Sequence, residues 1–427
     1  MINFSLLFLF KYSVFVNETI MTICSKFVEW YYNDLGKEQA FAKAQMFLEQ
    51  YPAKDFDIIL PMGISFYTFQ ATSYSIDVYR NKIKPVRHYG IFSLFITFFP
   101  QLVAGPIERS SNLLPQFYKK HKFDKQNVLI GLKWMLWGFF KKIVIADRAS
   151  TAVNTIYNNV ESYNGFYFVL ATILFAFQIY CDFSGYSNIA LGSAKVLGFD
   201  LIHNFDKPYL SKSIKELWRR WHVSLSTWFM DYIYIPLGGN REGKMKKCIN
   251  LFITFFVSGI WHGANWTFAI WGALHGIYLV IGVLTEKITK NIIHILHLEH
   301  NAIWNFCNII ITFLLFSISL IIFRANTITD AIYIFRHLLD DMGQWTNMQY
   351  IYEIITSIGI NLYELMIIVV SIIFLMFTEI ITGKYHVIDG IEKRNCVVRM
   401  AFYVFVSVWV LSTGVFSNSG EFIYFQF

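Results

Sequence analysis

The residue best suited to acid–base chemistry in this sequence is His262. It lies in SGIWHGANW (residues 258–266), inside an apolar run from Ile249 to Leu284. Gly259 and Gly263 flank it and let another backbone or a substrate come close. An imidazole buried in a membrane helix stays neutral and can accept a proton, as a general base must. The competing interpretation is a histidine that only hydrogen-bonds a neighbouring helix.

His222 belongs to a second polar stretch, WRRWHVSLSTW (residues 218–228). The adjacent Arg219 and Arg220 carry guanidinium groups suited to a phosphate-bearing or carboxylate ligand. One role for His222 is therefore to help bind or orient a reactant. From the residues alone, a structural hydrogen bond is the favoured role of this histidine.

A third stretch, QIYCDFSGYSN (residues 178–188), contains Asp182 and Tyr186 four residues apart, hence on one helical face. Ionisable residues inside a membrane are costly and point to functional sites. We expect Asp182 to anchor packing or to orient a partner, and not to attack a substrate.

The spacing of His294, His297 and His300 resembles a metal clip. Helical geometry can bring two of them together, but the third has rotated away from that face. The five cysteines are scattered and form no CxxC pair. We expect neither a metal site nor a tightly bound cofactor.

The elements that position these residues are apolar helices. Of the 427 residues, 55% are hydrophobic and only 15% are charged, which excludes a soluble or a disordered protein. A span needs about 20 apolar residues, and we expect about ten membrane segments, some broken. The net charge of +7 lies in short basic loops without a nucleic-acid-binding pattern, so no nucleic acid is expected. The strongest runs are Val128–Ile145, Phe166–Ile179, Ile249–Leu284, Phe306–Phe323, Leu362–Ile381 and Val397–Phe416.

The basic residues do not give a consistent orientation. Lys141, Lys142 and Arg148 close a run that the basic stretch 119–125 opens, although cytoplasmic loops should alternate with external ones. Re-entrant segments would explain this pattern. The run from Ile249 to Leu284 is long enough for two spans, or for one span and a re-entrant piece.

Seven segments together carry a family resemblance. They are LPMGISFYTFQ (60–70), IDVYR (76–80), FFPQLVAGPI (98–107), YCDFSGYS (180–187), WRRWHVSLS (218–226), WHGANW (261–266) and FIYFQF (422–427). In this order they resemble the membrane-bound O-acyltransferases, specifically the bacterial branch of alginate O-acetyltransferase membrane subunits. The D-alanyl-lipoteichoic acid transferases are more distant relatives.

The resemblance implies a fold and an activity. The fold is an all-α polytopic domain over residues 1–427, with a motif-bearing core over 57–284. Tilted transmembrane helices and re-entrant segments form a ring around a central tunnel. The activity is transfer of an acyl group, in first place acetyl, from acetyl-CoA or an acylated carrier protein to a hydroxyl or a partner protein. The WHG histidine, here His262, is then the catalytic residue and His222 the second histidine, while the substrate is bound or oriented by Asp182, Tyr186, Arg219, Arg220, Trp261 and Asn265.

The same resemblance predicts a multi-pass protein of the bacterial cytoplasmic membrane that modifies an extracytoplasmic polysaccharide through a partner. D-alanyl transfer to teichoic acid is one alternative. A polysaccharide or ion transporter and an inert scaffold are alternatives of other classes. The sequence leaves the acceptor, the donor and the oligomeric state open. Family members usually begin with further apolar residues before the segment matching Asn3–Tyr12, so we expect a missing opening helix or a misplaced Met1, and no cleaved signal peptide.

Overall fold

A computed structural model of the chain describes residues 2–51, 63–102, 105–298, 301–417 and 422–423. These residues form α-helices and contain no β-strand. The first ten helices are α1 (Ile2–Lys11), α2 (Ser13–Tyr31), α3 (Lys37–Gln50), α4 (Ile64–Tyr79), α5 (Tyr89–Thr97), α6 (Phe99–Leu102), α7 (Ser110–Phe117), α8 (Lys125–Phe139), α9 (Asp147–Tyr157) and α10 (Phe166–Val196).

The helices of the second half are α11 (Ile214–Arg220), α12 (Val223–Phe229), α13 (Gly243–His262), α14 (Trp266–Ile295), α15 (Ala302–Arg324), α16 (Ile328–His337), α17 (Met348–Ser357), α18 (Leu362–Ile381), α19 (Val387–Glu392) and α20 (Cys396–Thr413). Two π-helical segments interrupt the regular geometry, Phe140–Ala146 between α8 and α9, and Met230–Tyr234 after α12.

Five helices of the described chain are long and apolar enough to cross a membrane: α10, α14, α15, α18 and α20. Their outward sides carry large apolar residues such as Ile311, Ile373 and Leu411, which are exposed in the isolated chain. Side chains of this kind lie against lipid in a membrane protein. The predicted all-α polytopic membrane fold is therefore confirmed.

The centre of the fold is a close antiparallel contact between α8 and α10. Glycines seven residues apart on each helix face one another, Gly131 against Gly192 and Gly138 against Gly185. A Cβ atom at Gly138 would lie 2.6 Å from the Gly185 carbonyl oxygen, and one at Gly192 would lie 2.5 Å from the Gly131 carbonyl oxygen. The two backbones touch, as small-residue interfaces allow in membranes.

The long apolar run from Ile249 to Leu284 lies in two antiparallel helices. Residues 263–265 join α13 to α14, and Gly259 packs against Gly272 so closely that a Cβ on Gly259 would lie 2.8 Å from the Gly272 Cα atom. Asn265 begins α14, because its side-chain oxygen accepts a hydrogen bond from the Thr267 amide at 3.0 Å. His262 consequently ends a helix instead of lying in the middle of one.

The π-helical segment after α8 turns Lys141 and Lys142 into the protein. Both side chains are buried or nearly so, and Lys142 pairs with Asp147 and Asp182. The treatment of these lysines as loop charges was therefore wrong. Two carboxylates pair with the Lys142 charge inside the fold, and Lys141 is buried beside it, so neither lysine marks a cytoplasmic loop.

The glycine contact gives a prediction for stability. We expect Gly138→Leu to force α8 and α10 apart and to destabilise the protein by about 1–3 kcal/mol or more, because overpacked side chains cannot be accommodated between touching backbones. The matched control is Gly282→Leu, since Gly282 also lies within a helix but a Cβ there meets no neighbour within 4 Å. Thermal unfolding in detergent compares the two variants. Equal melting temperatures would contradict the proposed close contact between α8 and α10.

Candidate active site

His262 is held in an aromatic enclosure at the end of α13. The side chain is 5% exposed. Its ring centroid lies 5.0 Å from that of Trp261, 5.1 Å from that of Trp271 and 5.6 Å from that of Phe323. These rings limit the orientations of the imidazole and keep bulk water from it.

The first helices of the chain complete this enclosure. Lys11 Nζ donates hydrogen bonds to the carbonyl oxygens of Trp261 at 3.1 Å and His262 at 2.9 Å. The Tyr12 hydroxyl donates to the Ile260 carbonyl at 3.0 Å. Carbonyls in the last turn of a helix lack partners within it, so these two side chains satisfy groups that would otherwise be buried unpaired. Lys11 is absent from the predicted site residues, although the rule for ionisable residues in membranes applies to it equally.

His222 is set on a strained backbone. It has φ +44°, in the left-handed region that residues other than glycine seldom adopt, and it precedes α12 with only 1% of its surface exposed. Asn204 supports this turn: its Oδ1 lies 3.3 Å from His222 Nδ1 and accepts from the Ser224 amide at 3.1 Å. Such strain persists only where surrounding contacts fix it, and it is frequent at functional sites.

Glu108 ties the loop after α6 to the segment that carries Asn204. Its carboxylate is fully buried and accepts hydrogen bonds from the Ile202 amide at 2.5 Å and from Asn112 at 2.8 Å. Burial raises the pKa of Glu108 to about 7, while these hydrogen bonds act in the opposite direction. Glu108 is not among the predicted site residues, although it directly follows the segment at 98–107.

The two histidines belong to one aromatic neighbourhood. The Phe66 ring centroid lies 6.2 Å from that of His222 and 5.7 Å from that of Trp261. Phe183 contacts His222 edge-on at 4.5 Å. Four motif-bearing segments that are distant in sequence therefore meet here, as the candidate site requires.

Asp182 lies at the centre of a buried ion-pair network. Lys142 Nζ is 2.6 Å from Asp182 and 2.7 Å from Asp147. The second Asp182 oxygen accepts a hydrogen bond from the Ile423 amide at 2.8 Å. Tyr186, one turn along α10, packs against Phe422 with a centroid distance of 4.8 Å. Both residues thus hold the segment 422–423 against α10, an arrangement suited to orienting this segment.

A second buried network lies beside the first. Lys141 Nζ is 3.2 Å from the Ser184 hydroxyl, and the Tyr180 hydroxyl donates to the Glu379 carboxylate. Lys207 donates to the carbonyl oxygen of Tyr385 at 2.6 Å. No local pattern in the sequence indicates these pairings, because the partners are 43 to 199 residues apart along the chain.

The remaining predicted site residues lie in varied surroundings. Arg219 is exposed, and Arg220 pairs with Glu216 at 2.6 Å on the surface of α11, whereas His222 is buried. Asn265 caps α14 and donates to the Asn326 carbonyl at 3.0 Å. A ligand-binding role for the two arginines stays a prediction.

Two other histidine features are His275, which has a structural role, and the metal-clip spacing that ends at His300. His275 is buried between Trp218 Nε1, 3.2 Å from its Nδ1, and the Ser319 hydroxyl, 2.9 Å from its Nε2. Within the described ranges no group of three or more His, Cys, Asp or Glu side chains is arranged to hold a metal ion. His300, residues 60–62, 103–104 and 424–427 of the motif segments lie outside the described residues.

A cavity of about 330 Å³ adjoins the His262 enclosure. Phe323 forms part of its wall and also contacts the His262 ring, with 5.6 Å between centroids. Phe268 lines the same cavity and packs on Phe323 at 4.9 Å. The buried histidine and the cavity therefore share the Phe323 ring as a common wall.

The sequence containing this site also matches a known protein family. Residues 86–323 match the sequence profile of MBOAT, the membrane-bound O-acyltransferase family. This match covers more than half of the chain and includes both candidate histidines. The protein belongs to the membrane-bound O-acyltransferase family.

Individual relatives are consistent with that class. The chain is 41% identical over 276 residues to "Probable alginate O-acetylase AlgI" of Pseudomonas syringae pv. tomato, covering 64% of this chain and 50% of that protein. It is 33% identical over 308 residues to the peptidoglycan O-acetyltransferase of Helicobacter pylori, covering 66% and 57%. It is 31% identical over 233 residues to the teichoic acid D-alanyltransferase of Streptococcus thermophilus, covering 52% and 56%. The chain spans about half the length of the curated relatives it matches.

The Asp182 network gives a prediction that separates charge from hydrogen bonding. Asp182→Ala removes a buried partner of Lys142 and the acceptor for the Ile423 amide, and we expect a destabilisation of about 3–5 kcal/mol. Asp182→Asn keeps a side-chain oxygen for that amide and should be destabilised less. The control is Asp200→Asn, which breaks an exposed pair with Lys195. Melting temperatures in detergent rank the variants, and a harmless Asp182→Ala change would refute the anchoring role.

Proposed function

We propose that this chain is an O-acyltransferase of the bacterial cytoplasmic membrane, with a thioester as acyl donor and a hydroxyl group as acceptor. The acyl group is in first place acetyl, and the acceptor is an extracytoplasmic polysaccharide reached directly or through a partner protein. The observation that carries the proposal is His262, held between aromatic rings, capped by Lys11 at its own carbonyl and sharing a wall with a cavity. Family membership supports the same activity and removes support from the transporter alternative.

The proposed reaction exchanges a thioester for an oxygen ester. The acceptor oxygen attacks the thioester carbonyl carbon, its C–O bond forms and the C–S bond breaks. His262 takes the hydroxyl proton and returns it to the departing sulfur, so that the donor leaves as a thiol. A positioned base contributes about 10²- to 10⁴-fold, and holding both reactants together contributes further through effective molarity.

The surroundings of His262 suit this reaction. Exclusion of water limits hydrolysis of the donor, which competes with the acceptor for the same carbonyl carbon. The acceptor oxygen must come within hydrogen-bonding distance of the imidazole. Because Phe323 covers the ring on the cavity side, its side chain has to turn aside when the acceptor enters. His222, which contacts Phe66 and Phe183 in the same aromatic neighbourhood, then orients the donor.

The names of the relatives support the choice of acyl group. Two relatives are named as enzymes of O-acetylation and share 41% and 33% identity with this chain, which favours acetyl-CoA or an acetylated carrier. D-alanyl transfer is the second candidate, supported by the teichoic acid D-alanyltransferase at 31% identity. We propose one membrane domain over residues 1–427 for either reaction.

The mechanism predicts the effect of removing the base. His262→Ala should lower acyl transfer by at least about 10²-fold while the protein stays inserted and folded. The measurement is release of free thiol from acetyl-CoA together with appearance of labelled acetyl ester, using protein in lipid nanodiscs and membranes supplying the acceptor. His294→Ala is the control, since His294 is exposed on the last turn of α14. Undiminished ester formation in His262→Ala would end the proposal.

A further inference from the structure

The cavity beside His262 has an unusually polar wall for a membrane protein. It lies where the carboxyl ends of α9 and α15 meet the amino end of α14. Its volume of about 330 Å³ is at the lower end of the range for small-molecule sites. Apart from the two phenylalanines and Ala325, the residues that line it are Asn154, Asn158, Asn265, Thr267, Arg324 and Asn326.

Arg324 gives this cavity a buried positive charge. The residue is 9% exposed. Its guanidinium donates to the amide oxygens of Asn154 at 2.7 Å, Asn158 at 3.1 Å and Asn326 at 3.2 Å. These acceptors are neutral. They fix the orientation of the guanidinium without cancelling its charge.

No carboxylate of the described residues forms an ion pair with this group. Among the described residues, the arginines that form ion pairs with carboxylates are Arg109, Arg148, Arg220 and Arg399. Buried charges in proteins are normally paired, because an unpaired one loses its hydration without compensation. A cavity next to Arg324 offers room for an anionic partner from outside the chain.

Thr267 provides an independent indication of a ligand. It lines the cavity and is 1% exposed, and across the described residues its hydroxyl has no hydrogen-bond partner. Thr267 lies in the first turn of α14, whose backbone amides carry partial positive charge toward the same space. A buried hydroxyl without a partner costs free energy unless a bound molecule satisfies it.

We propose that this cavity binds a carboxylate-bearing sugar unit of the acceptor, an assignment that rests on the acyl transfer proposed above. Arg324 pairs with the carboxylate by charge-assisted hydrogen bonds. The side-chain amides and Thr267 hydrogen-bond the sugar hydroxyls, since amides offer both donors and acceptors. Phe323 precedes Arg324 in the chain and contacts the His262 ring, so a hydroxyl of the bound sugar lies next to the proposed base once that ring turns.

The test compares two sugars that differ in one group. Binding of trigalacturonate and of its carboxyl-reduced counterpart is measured by calorimetry on the full chain in lipid nanodiscs, without any acyl donor. We expect the wild-type protein to bind the uronate at least about tenfold more tightly, as a charged hydrogen bond to a carboxylate provides. Arg324→Gln should abolish this difference and Arg324→Lys should keep part of it. Arg399→Gln, which removes an arginine far along the chain in an ion pair with Glu392, should bind as the wild type does.

A second variant keeps the test decisive if Arg324→Gln does not fold. Thr267→Val preserves the side-chain shape and removes the hydroxyl, and we expect it to weaken binding of both sugars several-fold while the preference for the uronate persists. Equal binding of the two sugars by the wild-type protein would overturn the assignment. So would displacement of bound uronate by a short peptide with a free carboxyl terminus at a lower concentration than by trigalacturonate itself, since that result assigns the cavity to a protein partner.

The binding experiment and the acyl-transfer experiment fail separately. If the uronate is preferred but donor turnover does not depend on His262, the cavity assignment holds and the proposed function is wrong. If turnover depends on His262 but the two sugars bind alike, the function holds and the cavity assignment is wrong.

Discussion

The satisfaction of polar groups at the carboxyl end of α13 is the constraint on which the candidate site depends. A helix that ends inside a membrane protein leaves carbonyl oxygens that water cannot reach, and each must find a donor within the protein. Lys11 and Tyr12 supply these donors. Because the helix can end there, His262 lies at a turn between two helices and next to a cavity, and not in the middle of a continuous helix.

Close backbone contacts make the rest of this arrangement possible. Gly259 and Gly272 let α13 and α14 lie against each other directly below the turn, and the paired glycines of α8 and α10 do the same for the central helices. The π-helical segment that follows α8 then carries Lys142 to Asp182. The close contact between the α8 and α10 backbones thus fixes where the buried charges lie. Asp182, one of these charges, in turn holds the segment 422–423 beside the aromatic neighbourhood.

The sequence was sufficient to predict the class of fold and to select two histidines that the structure brings close together. Apolar runs of membrane-crossing length are a local property, and His262 and His222 stand in short motifs. The structure brings both motifs to one aromatic neighbourhood through Phe66. What the sequence could not show were the partners. Lys142 appeared as a loop charge because nothing in the local sequence shows that it pairs with Asp182 on α10. Arg324 was overlooked because two of its three asparagine partners are about 170 residues away. The break between α13 and α14 had a local signal, Asn265 as a helix cap, but hydrophobicity alone concealed it.

The hydrogen bond from Lys11 to His262 joins residues 251 positions apart. At about 5–20 residues per second, a ribosome needs roughly ten to fifty seconds to add that length of chain. Throughout that interval the carbonyl oxygens that Lys11 will bind do not yet exist, although the first helices are already synthesised. The ammonium group must meanwhile reach headgroups or water, so the amino-terminal segment has to settle near the membrane surface before it can move into its final place. Assembly of the candidate site is consequently a late event in biogenesis, and a nascent chain that stalls before α13 emerges has the early helices without this site.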